Sequence, residues 1–354
     1  MFAAARSRAR VTLTAVATLT ALTLAGCSGT SATSNPAPST PGAASPAGDA
    51  FPVTIKSALG EVTIEKKPER IATWGWSTQD AVLALGIVPV AMPENKYGGE
   101  GTGVLPWDAD KIKELGGQTP VLIGGTDTGE LPVEEFVEVR PDIILAPYSG
   151  ITQEEYDKLS KVAPVVAYPE KPWALPWQDQ LTVVGKALGL SAQAEQLRAK
   201  TDAHIASLAA ANPALKGKSF VYAATNQADQ LNVFRADDPR VALLVQLGMT
   251  VSPSVAELDA DPKAGSYFYP LSFENVGKIK TDVLVMYFAT QKEADAFAAD
   301  PVIAAMPAIK EGRFAPIVGE SFVMASSAPT ALSIPWMLDK YVPQLAAVAQ
   351  KAGS

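Results

Sequence analysis

Two arginines in one polar loop are the residues whose chemistry is clearest from the sequence. Arg235 and Arg240 bound the segment Arg-Ala-Asp-Asp-Pro-Arg, which follows a predicted strand and precedes a predicted helix. An arginine stays charged in proteins and can hold oxygen atoms through two parallel hydrogen bonds. We therefore predict that these side chains contact an oxygen-rich ligand. The alternative is a local Arg–Asp pair at the surface, which stabilises a protein by less than about 1 kcal/mol.

Aromatic residues are concentrated in segments that follow predicted strands, where α/β proteins bind their ligands. Flat aromatic faces suit a bulky chelate with an apolar or conjugated surface. Trp173 and Trp177 each follow prolines in a loop-like stretch, which favours a place in the binding site, although any single aromatic here is also compatible with the core. The predicted ligand-binding residues are Trp74, Trp76, Tyr148, Tyr168, Trp173, Trp177, Asn226, Arg235, Arg240 and Tyr287.

Residue counts and motifs exclude several kinds of chemistry. The 354 residues include one Cys and one His, too few for a zinc site built from several thiolates or imidazoles. His204 lies in an Ala-rich predicted helix, so a Ser-His-Asp or Cys-His mechanism is disfavoured. The glycines at 98–103 and 124–125 match no phosphate-binding loop and are predicted to form turns, and residues 319–323 do not form a nucleophile elbow. We predict that the protein is not an enzyme and has no cofactor.

The first 26 residues have the pattern of a lipoprotein signal peptide. Three arginines within residues 6–10 precede an uncharged apolar run at 11–25, which is short for a membrane span. The run ends in Leu-Ala-Gly-Cys, which resembles a bacterial lipobox and predicts lipidation of Cys27; the alternative is a buried free cysteine. Residues 27–50 are mostly Ser, Thr, Pro, Ala and Gly, which predicts a disordered tether. We expect the protein to be anchored to the extracytoplasmic face of the cell membrane.

The rest of the chain predicts an α/β fold in which one layout occurs twice. Glu134 and Glu274 each lie eight residues before an Asp that opens an apolar strand. Such internal similarity indicates two lobes, each a central, mostly parallel sheet flanked by helices. A glycine-free stretch capped at Ser191 would be the single long helix that joins them, with the ligand in the cleft between the lobes. The predicted boundaries are 51–190 for the first lobe, 191–213 for the helix and 214–354 for the second lobe.

The order of motifs along residues 51–342 resembles the substrate-binding proteins of ABC importers that carry ferric siderophores, haem and cobalamin. The motifs are Pro-Glu-Arg-Ile-Ala at 68–72, Leu-Ala-Leu-Gly-Ile-Val-Pro-Val at 83–90, Arg-Pro-Asp-Ile-Ile-Leu at 140–145, two Pro-Trp pairs within 172–177 and Gly-Lys-Ala-Leu-Gly at 185–189. The Pro-Trp pairs are similar to the siderophore branch in actinobacterial lipoproteins, and Arg235 falls where that branch has ligand contacts. The resemblance implies modest closure of the lobes and delivery of the ligand to an ATP-powered permease.

The same resemblance assigns a docking role to two glutamates. Glu134 and Glu274 match the family's acidic residues, one on each lobe, that meet arginines of the permease dimer. Matched charges orient such an encounter and set its register. The alternative is that each Glu merely favours the positive N-terminus of its own helix.

The sequence thus predicts a monomeric, lipid-anchored receptor for a ferric siderophore, with the iron already chelated when it binds. The net charge of −8 argues against nucleic acid as a partner. Removing the three arginines of the signal peptide lowers this charge to −11, which favours a hydroxamate or mixed-ligand chelate over a strongly anionic one. Haem or cobalamin remains an alternative ligand. An envelope interaction module that retains the fold without import is an alternative function.

Overall fold

The computed structural model describes residues 49–125, 129–225, 227 and 229–353. Cys27, the predicted signal peptide, nearly all of the predicted tether and Asn226 lie outside these residues. Among the described helices, none is both long and apolar enough to cross a membrane.

A hairpin precedes the first lobe. Strands β1 (Val53–Ser57) and β2 (Gly60–Ile64) pair antiparallel. Val53, Ile55 and Ile64 are buried while their neighbours along each strand are more exposed. This alternation buries one face of the hairpin against the protein core.

The first lobe is built on a sheet of five parallel strands in the order β5-β4-β3-β6-β7. Its strands are β3 (Ile71–Thr73), β4 (Ala91–Pro93), β5 (Val121–Ile123), β6 (Ile143–Leu145) and β7 (Val165–Val166). Its helices are α1 (Thr78–Ala84), α2 (Pro106–Glu114), α3 (Val133–Val139), α4 (Gln153–Leu159) and α5 (Trp177–Ala187). The central strands are buried along their whole length because helices cover both faces of a parallel sheet.

The helix α6 (Ser191–Ala211) follows the first lobe and matches the predicted interlobe helix. Its predicted N-cap is wrong, because Ser191 is the first helical residue and Leu190 takes the cap position without a side-chain cap. A carboxylate from far along the chain supplies the cap instead. Oδ2 of Asp49 accepts hydrogen bonds from Ser191 N at 3.2 Å and from the Ser191 hydroxyl.

The second lobe contains a mixed sheet in the order β11-β9-β8-β12-β13, with β10 beside β8. Its strands are β8 (Ser219–Ala224), β9 (Gln230–Phe234), β10 (Thr250–Val251), β11 (Phe268–Ser272), β12 (Val283–Phe288) and β13 (Phe314–Val318). Its helices are α7 (Pro239–Gln246), α8 (Ser254–Glu257), α9 (Gln291–Ala299), α10 (Pro301–Ala304), α11 (Pro307–Lys310), α12 (Glu320–Ser327) and α13 (Ser333–Ala349). The α/β fold with two lobes is confirmed, and the antiparallel edge formed by β9 and β11 is an addition to the prediction.

The internal repeat has a structural cause. Asp142 precedes β6, and its carboxylate accepts from the backbone nitrogens of Glu69 and Arg70 at 2.8 and 2.9 Å. In the second lobe Asp282 precedes β12 and accepts from Ser219 N at 2.7 Å. Each Asp therefore fixes the start of a neighbouring parallel strand.

The lobes meet at a buried contact beside α13. Thr330, just before this helix, donates from Oγ1 to Oδ2 of Asp80 in α1 at 2.6 Å. The rings of Trp107 in α2 and Trp336 in α13 lie 5.1 Å apart. Together with Asp108 of α2, which is also fully buried, these residues form what we call the interlobe joint.

Candidate functional site

Two adjoining cavities of about 250 and 400 Å³ lie between the lobes. Trp76, Arg240 and Tyr267 line both, so we treat them as one cleft. The smaller cavity is also lined by Tyr148 and Trp173. The larger is also lined by Asn95, Lys96, Tyr97, Tyr287, Val323, Met324 and Ser327. The first lobe contributes most of the aromatic wall, and the second contributes the arginine.

The aromatic wall is set by loops at the carboxyl ends of neighbouring strands. Trp76 N donates to Tyr148 O at 3.0 Å, which joins the loops after β3 and β6. The Trp173 ring then packs against both partners, with centroids 5.6 Å from Trp76 and 5.8 Å from Tyr148. Gly75 permits this approach, because its φ is +91° and a Cβ there would lie 2.4 Å from Tyr148 O.

Arg240 is fixed in the second wall by the start of α7. Asp238 is the N-cap of this helix, and its Oδ1 accepts from Arg240 N at 2.8 Å. Its Oδ2 accepts from Nη1 of the same arginine at 2.7 Å. The guanidinium carbon lies 4.5 Å from the Phe234 ring centroid and 5.5 Å from that of Tyr267, so the group is held by both an ion pair and aromatic faces.

Two of the cleft tyrosines, Tyr148 and Tyr287, have pKa values raised by burial. Burial raises the pKa of Tyr148 to about 12, although the charge of Arg240 opposes the rise. Burial also raises the pKa of Tyr287, again against the effect of Arg240. Protonated phenols can donate hydrogen bonds to ligand oxygens.

One rim of the cleft is closed by a contact between the lobes. Ser321 in α12 donates from Oγ to Gly98 O at 2.9 Å, and Gly98 N donates to Glu320 Oε2 at 3.4 Å. A Cβ at Gly98 would lie 2.7 Å from Cγ of Met324. The predicted glycine turn therefore packs directly on a helix of the other lobe.

The structure brings five of the predicted ligand-binding residues together at the cleft: Trp76, Tyr148, Trp173, Arg240 and Tyr287. Trp74 lines a neighbouring cavity of about 290 Å³ that Trp76 and Trp173 also border. Tyr168 and Trp177 instead pack in hydrophobic cores. The Tyr168 hydroxyl donates to Ile151 O at 3.1 Å, which uses its polar atom within the first lobe.

Arg235 is not among the residues that line the cleft. Its Nε and Nη2 donate to the two carboxylate oxygens of Asp259 at 2.8 and 3.1 Å. Nη2 also donates to Asp261 O at 2.9 Å, and Nη1 donates to Ser266 O. These bonds hold the segment that ends at Tyr267, so Arg235 supports a cleft residue rather than contacting the cavity.

Several cleft residues were missed by sequence reasoning, above all Tyr97 and Tyr267. Both are exposed, at 42% and 40%, although large aromatics are usually more buried. Tyr97 directly precedes the glycine turn, and Tyr267 directly precedes β11. An aromatic next to a turn is a weak signal, because only the packing of the two lobes brings these positions to one cavity.

Glu134 and Glu274 are exposed at the starts of short helices, as the repeat predicts. Glu134 borders a surface cavity of about 720 Å³ in the first lobe. That cavity is larger than either part of the cleft, but its described lining contains several carboxylates and no aromatic residue. Its chemistry does not suit an apolar chelate, so we place the ligand site in the cleft.

No set of three or more metal-ligating His, Cys, Asp or Glu side chains occurs among the described residues. His204 lies on α6, where Nε2 is 2.8 Å from Oδ1 of Asp339. It therefore pairs α6 with α13, away from the cleft.

Comparison with known proteins identifies one family. The model of the family described as periplasmic binding protein matches residues 71–317. The ferric enterobactin-binding periplasmic protein FepB of Escherichia coli is 28% identical over 288 residues, which cover 77% of this chain and 86% of FepB. The probable siderophore-binding lipoprotein YfiY of Bacillus subtilis is 27% identical over 245 residues, covering 66% of this chain and 68% of YfiY.

Solved structures give the same result. PiaA of Streptococcus pneumoniae TIGR4, in complex with ferrichrome, superposes with a TM-score of 0.77 and is 35% identical. The match covers 85% of this chain and 99% of PiaA. A periplasmic solute binding protein of Mycobacterium smegmatis has a TM-score of 0.71 and 28% identity, covering 84% of this chain and 98% of its own.

Proposed function

Because the chain belongs to the periplasmic binding protein family, we propose that it captures a ferric siderophore in the interlobe cleft and delivers it to an ABC permease. The observation that carries the proposal is the cleft itself, in which Trp76, Tyr148 and Trp173 face Arg240 across the lobes. Aromatic faces supply contact area for a bulky chelate, and the guanidinium supplies hydrogen bonds to its oxygens. The relatives reported above are named as binding proteins, which supports a function in binding rather than catalysis.

The iron would enter the cleft within its chelator. The described part of the chain offers no cluster of metal-ligating side chains, and the described lining of the cleft contains no carboxylate, imidazole or thiol. Haem or cobalamin would fit the same architecture. Ligation of haem through histidine is disfavoured because His204 lies on α6, and a cleft tyrosine would be the remaining ligand.

Delivery requires a membrane anchor and a docking surface. We propose lipidation at Cys27, which would hold a monomeric receptor on the extracytoplasmic face. Glu134 and Glu274 would meet the two permease subunits, since both carboxylates are exposed and belong to different lobes. Complementary charges at such an interface mainly fix orientation and speed of encounter.

A fluorescence titration of the purified chain tests ligand capture. Trp76 and Trp173 line the cleft, so a ferric chelate should quench their emission saturably at sub-micromolar concentration. The panel contains ferric siderophores, their iron-free forms, haem and cobalamin, with correction for inner-filter absorption. Saturation by haem or cobalamin alone would replace the proposed ligand. Failure of every compound would favour the envelope interaction module.

Uptake of radioactive iron by cells tests delivery separately. A double variant in which Glu134 and Glu274 are both replaced by Ala should take up no iron. Its ligand affinity in the fluorescence titration should be unchanged. Glu138→Ala is the matched control, because this exposed carboxylate lies on the same helix as Glu134. Normal uptake by the double variant would rule out the docking role.

A further inference from the structure

The two cations that line the cleft are each paired with a carboxylate of the protein. Nη1 of Arg240 lies 2.7 Å from Oδ2 of Asp238, and both side chains are buried. Nζ of Lys96 lies 3.9 Å from Oε2 of Glu94 in a more exposed pair. No other Lys, Arg, Asp or Glu belongs to the described lining of the two cavities. The cleft wall is therefore close to electrically neutral.

Two further carboxylates take part in the rim contact. Glu320 accepts from Gly98 N, and Glu100 accepts from the Ser321 hydroxyl at 3.1 Å. A strongly anionic ligand would meet these carboxylates and an arginine whose charge Asp238 already balances. Burial of a charge is unfavourable unless opposite charges compensate it, so several negative charges would be poorly accommodated here.

The wall does offer hydrogen bonds that require no net charge on the ligand. Arg240 lines both cavities, and its guanidinium has more N–H groups than the one that Nη1 donates to Asp238. The phenols of Tyr148 and Tyr287 are held protonated by burial and can donate. Such donors suit the oxygens of an uncharged chelate.

Ferric chelates differ in net charge according to the groups that bind the iron. Three hydroxamates carry one negative charge each and neutralise Fe³⁺, whereas three catecholates leave a complex with three negative charges. On the premise that the cleft binds a ferric siderophore, as proposed above, we infer that it selects chelates of net charge near zero, of which tris-hydroxamates are the typical class. The relatives do not decide this point, because their names include both a ferric enterobactin binder and a ferrichrome complex.

Competitive binding to the purified chain tests the inference. The probes are ferrichrome, ferric enterobactin and a ferric tris-hydroxamate that carries three added carboxylates. The third probe keeps the iron coordination of the first and differs from it by three negative charges. We expect ferrichrome to bind at least tenfold more tightly than either anionic probe, at low and at physiological salt.

Asp238→Asn then alters the charge of the wall with little change in shape. Asn is as good an N-cap as Asp, so α7 should keep its start. The variant leaves the Arg240 charge unbalanced and should reduce the preference for ferrichrome by about tenfold. Asp237→Asn is the matched control, because it removes an exposed charge from the same loop and should leave the preference unchanged.

The outcomes distinguish failure of the charge selection from failure of the proposed siderophore capture. If the anionic probes bind the unmodified chain as tightly as ferrichrome, the charge selection is wrong and siderophore capture stands. If both Asn variants change the preference equally, selection does not arise from the Arg240–Asp238 pair. If no ferric chelate binds, the proposed function fails and the inference fails with it. The comparison on the unmodified chain decides the matter even if Asp238→Asn does not fold.

Discussion

At the scale of one residue, Arg240 belongs both to the proposed ligand site and to a buried ion pair of the fold. Its guanidinium lines the cleft and also balances Asp238, which is 1% exposed. Burial raises the pKa of the Asp238 carboxyl, and the Arg240 charge opposes that rise. Removing either partner alone would leave a buried group without compensation.

We expect Arg240→Met to lower the free energy of unfolding by roughly 3–5 kcal/mol, the typical effect of breaking a buried ion pair. Asp238→Asn in the same chain should restore most of this stability, since no buried charge is then left. Affinity for a ferric siderophore should stay at least tenfold lower in the double variant. Urea unfolding and the fluorescence titration measure the two quantities. Recovery of affinity together with stability would show that Arg240 does not contact the ligand.

Arg235 acts through Tyr267, and this predicts a specific coupling. Asp259→Ala removes the bidentate partner of Arg235 and should release the segment that ends at Tyr267. We expect affinity to fall about tenfold, as it should in Tyr267→Ala. In a double-mutant cycle the two losses should not add, because both act on the same side chain. Additive losses would mean that Asp259 influences the ligand by another route.

These two arginines also show why sequence predicts a cleft better than it predicts cleft residues. Both lie in one polar loop beside aspartates, and nothing local distinguishes them. The pairing of β9 with β11 brings residues 259–267 beside Arg235, whereas Arg240 is held by Asp238 and lines the cleft. That pairing joins positions over thirty residues apart and is not visible in the local pattern.

At the scale of elements, the interlobe joint combines helices of both lobes around two buried acids. Asp80 in α1 accepts from Trp107 Nε1 and from Thr330 Oγ1, each at 2.6 Å. Burial raises the pKa of Asp80 to about 7, against the effect of these hydrogen bonds. Burial, with the nearby Asp80 charge, raises the pKa of Asp108 well above its ordinary value. The two carboxyls of the folded chain therefore stay protonated at pH values at which they are ionised in the unfolded chain.

The sign of the resulting pH dependence follows from linkage. Between the ordinary pKa of 3.8 and about 7, the folded chain binds more protons here than the unfolded chain. The contribution of the pair to stability therefore falls as pH rises through that window. Asp108→Asn, a neutral isostere, should flatten this part of the curve and stabilise the protein at pH 8. Asp110→Asn, an exposed change on the same helix, should leave the slope unchanged. Urea unfolding from pH 5 to pH 8 measures the slopes, and equal slopes in all three chains would contradict the prediction.

The elements themselves were predictable where apolar patterning and length agree. The hairpin, α6 and the strands after Asp142 and Asp282 follow directly from alternating or continuous apolar runs. The direction of β9 did not follow, since Gln-Leu-Asn-Val-Phe reads the same in a parallel or an antiparallel position. The start of α6 was predicted at the observed residue, but its cap was misassigned because it comes from Asp49, more than a hundred residues earlier.

At the scale of the whole molecule, the joint and the rim are two separate contacts between the lobes. The joint holds the lobes together through the buried hydrogen bond from Thr330 to Asp80 and the tilted ring contact of Trp107 with Trp336. The rim contact of Gly98 with α12 combines a buried hydrogen bond from Ser321 with a partly buried one to Glu320. Met324 on the same helix lines the cleft beside this contact, so we expect the rim to govern how readily a bound ligand leaves.

Gly98→Ala tests this expectation against a matched glycine. Gly98 and Gly101 have φ of +81° and +77°, so Ala strains the backbone similarly at both positions. Only at Gly98 does the new Cβ meet a neighbour, Met324 at 2.7 Å, whereas nothing lies within 4 Å at Gly101. We expect Gly98→Ala to raise the dissociation rate of a ferric siderophore about five- to tenfold, and Gly101→Ala to change it less than twofold. Stopped-flow displacement measures both rates. Equal rates in the two variants would attribute the effect to strain in the turn, and the rim contact would then have no part in retaining the ligand.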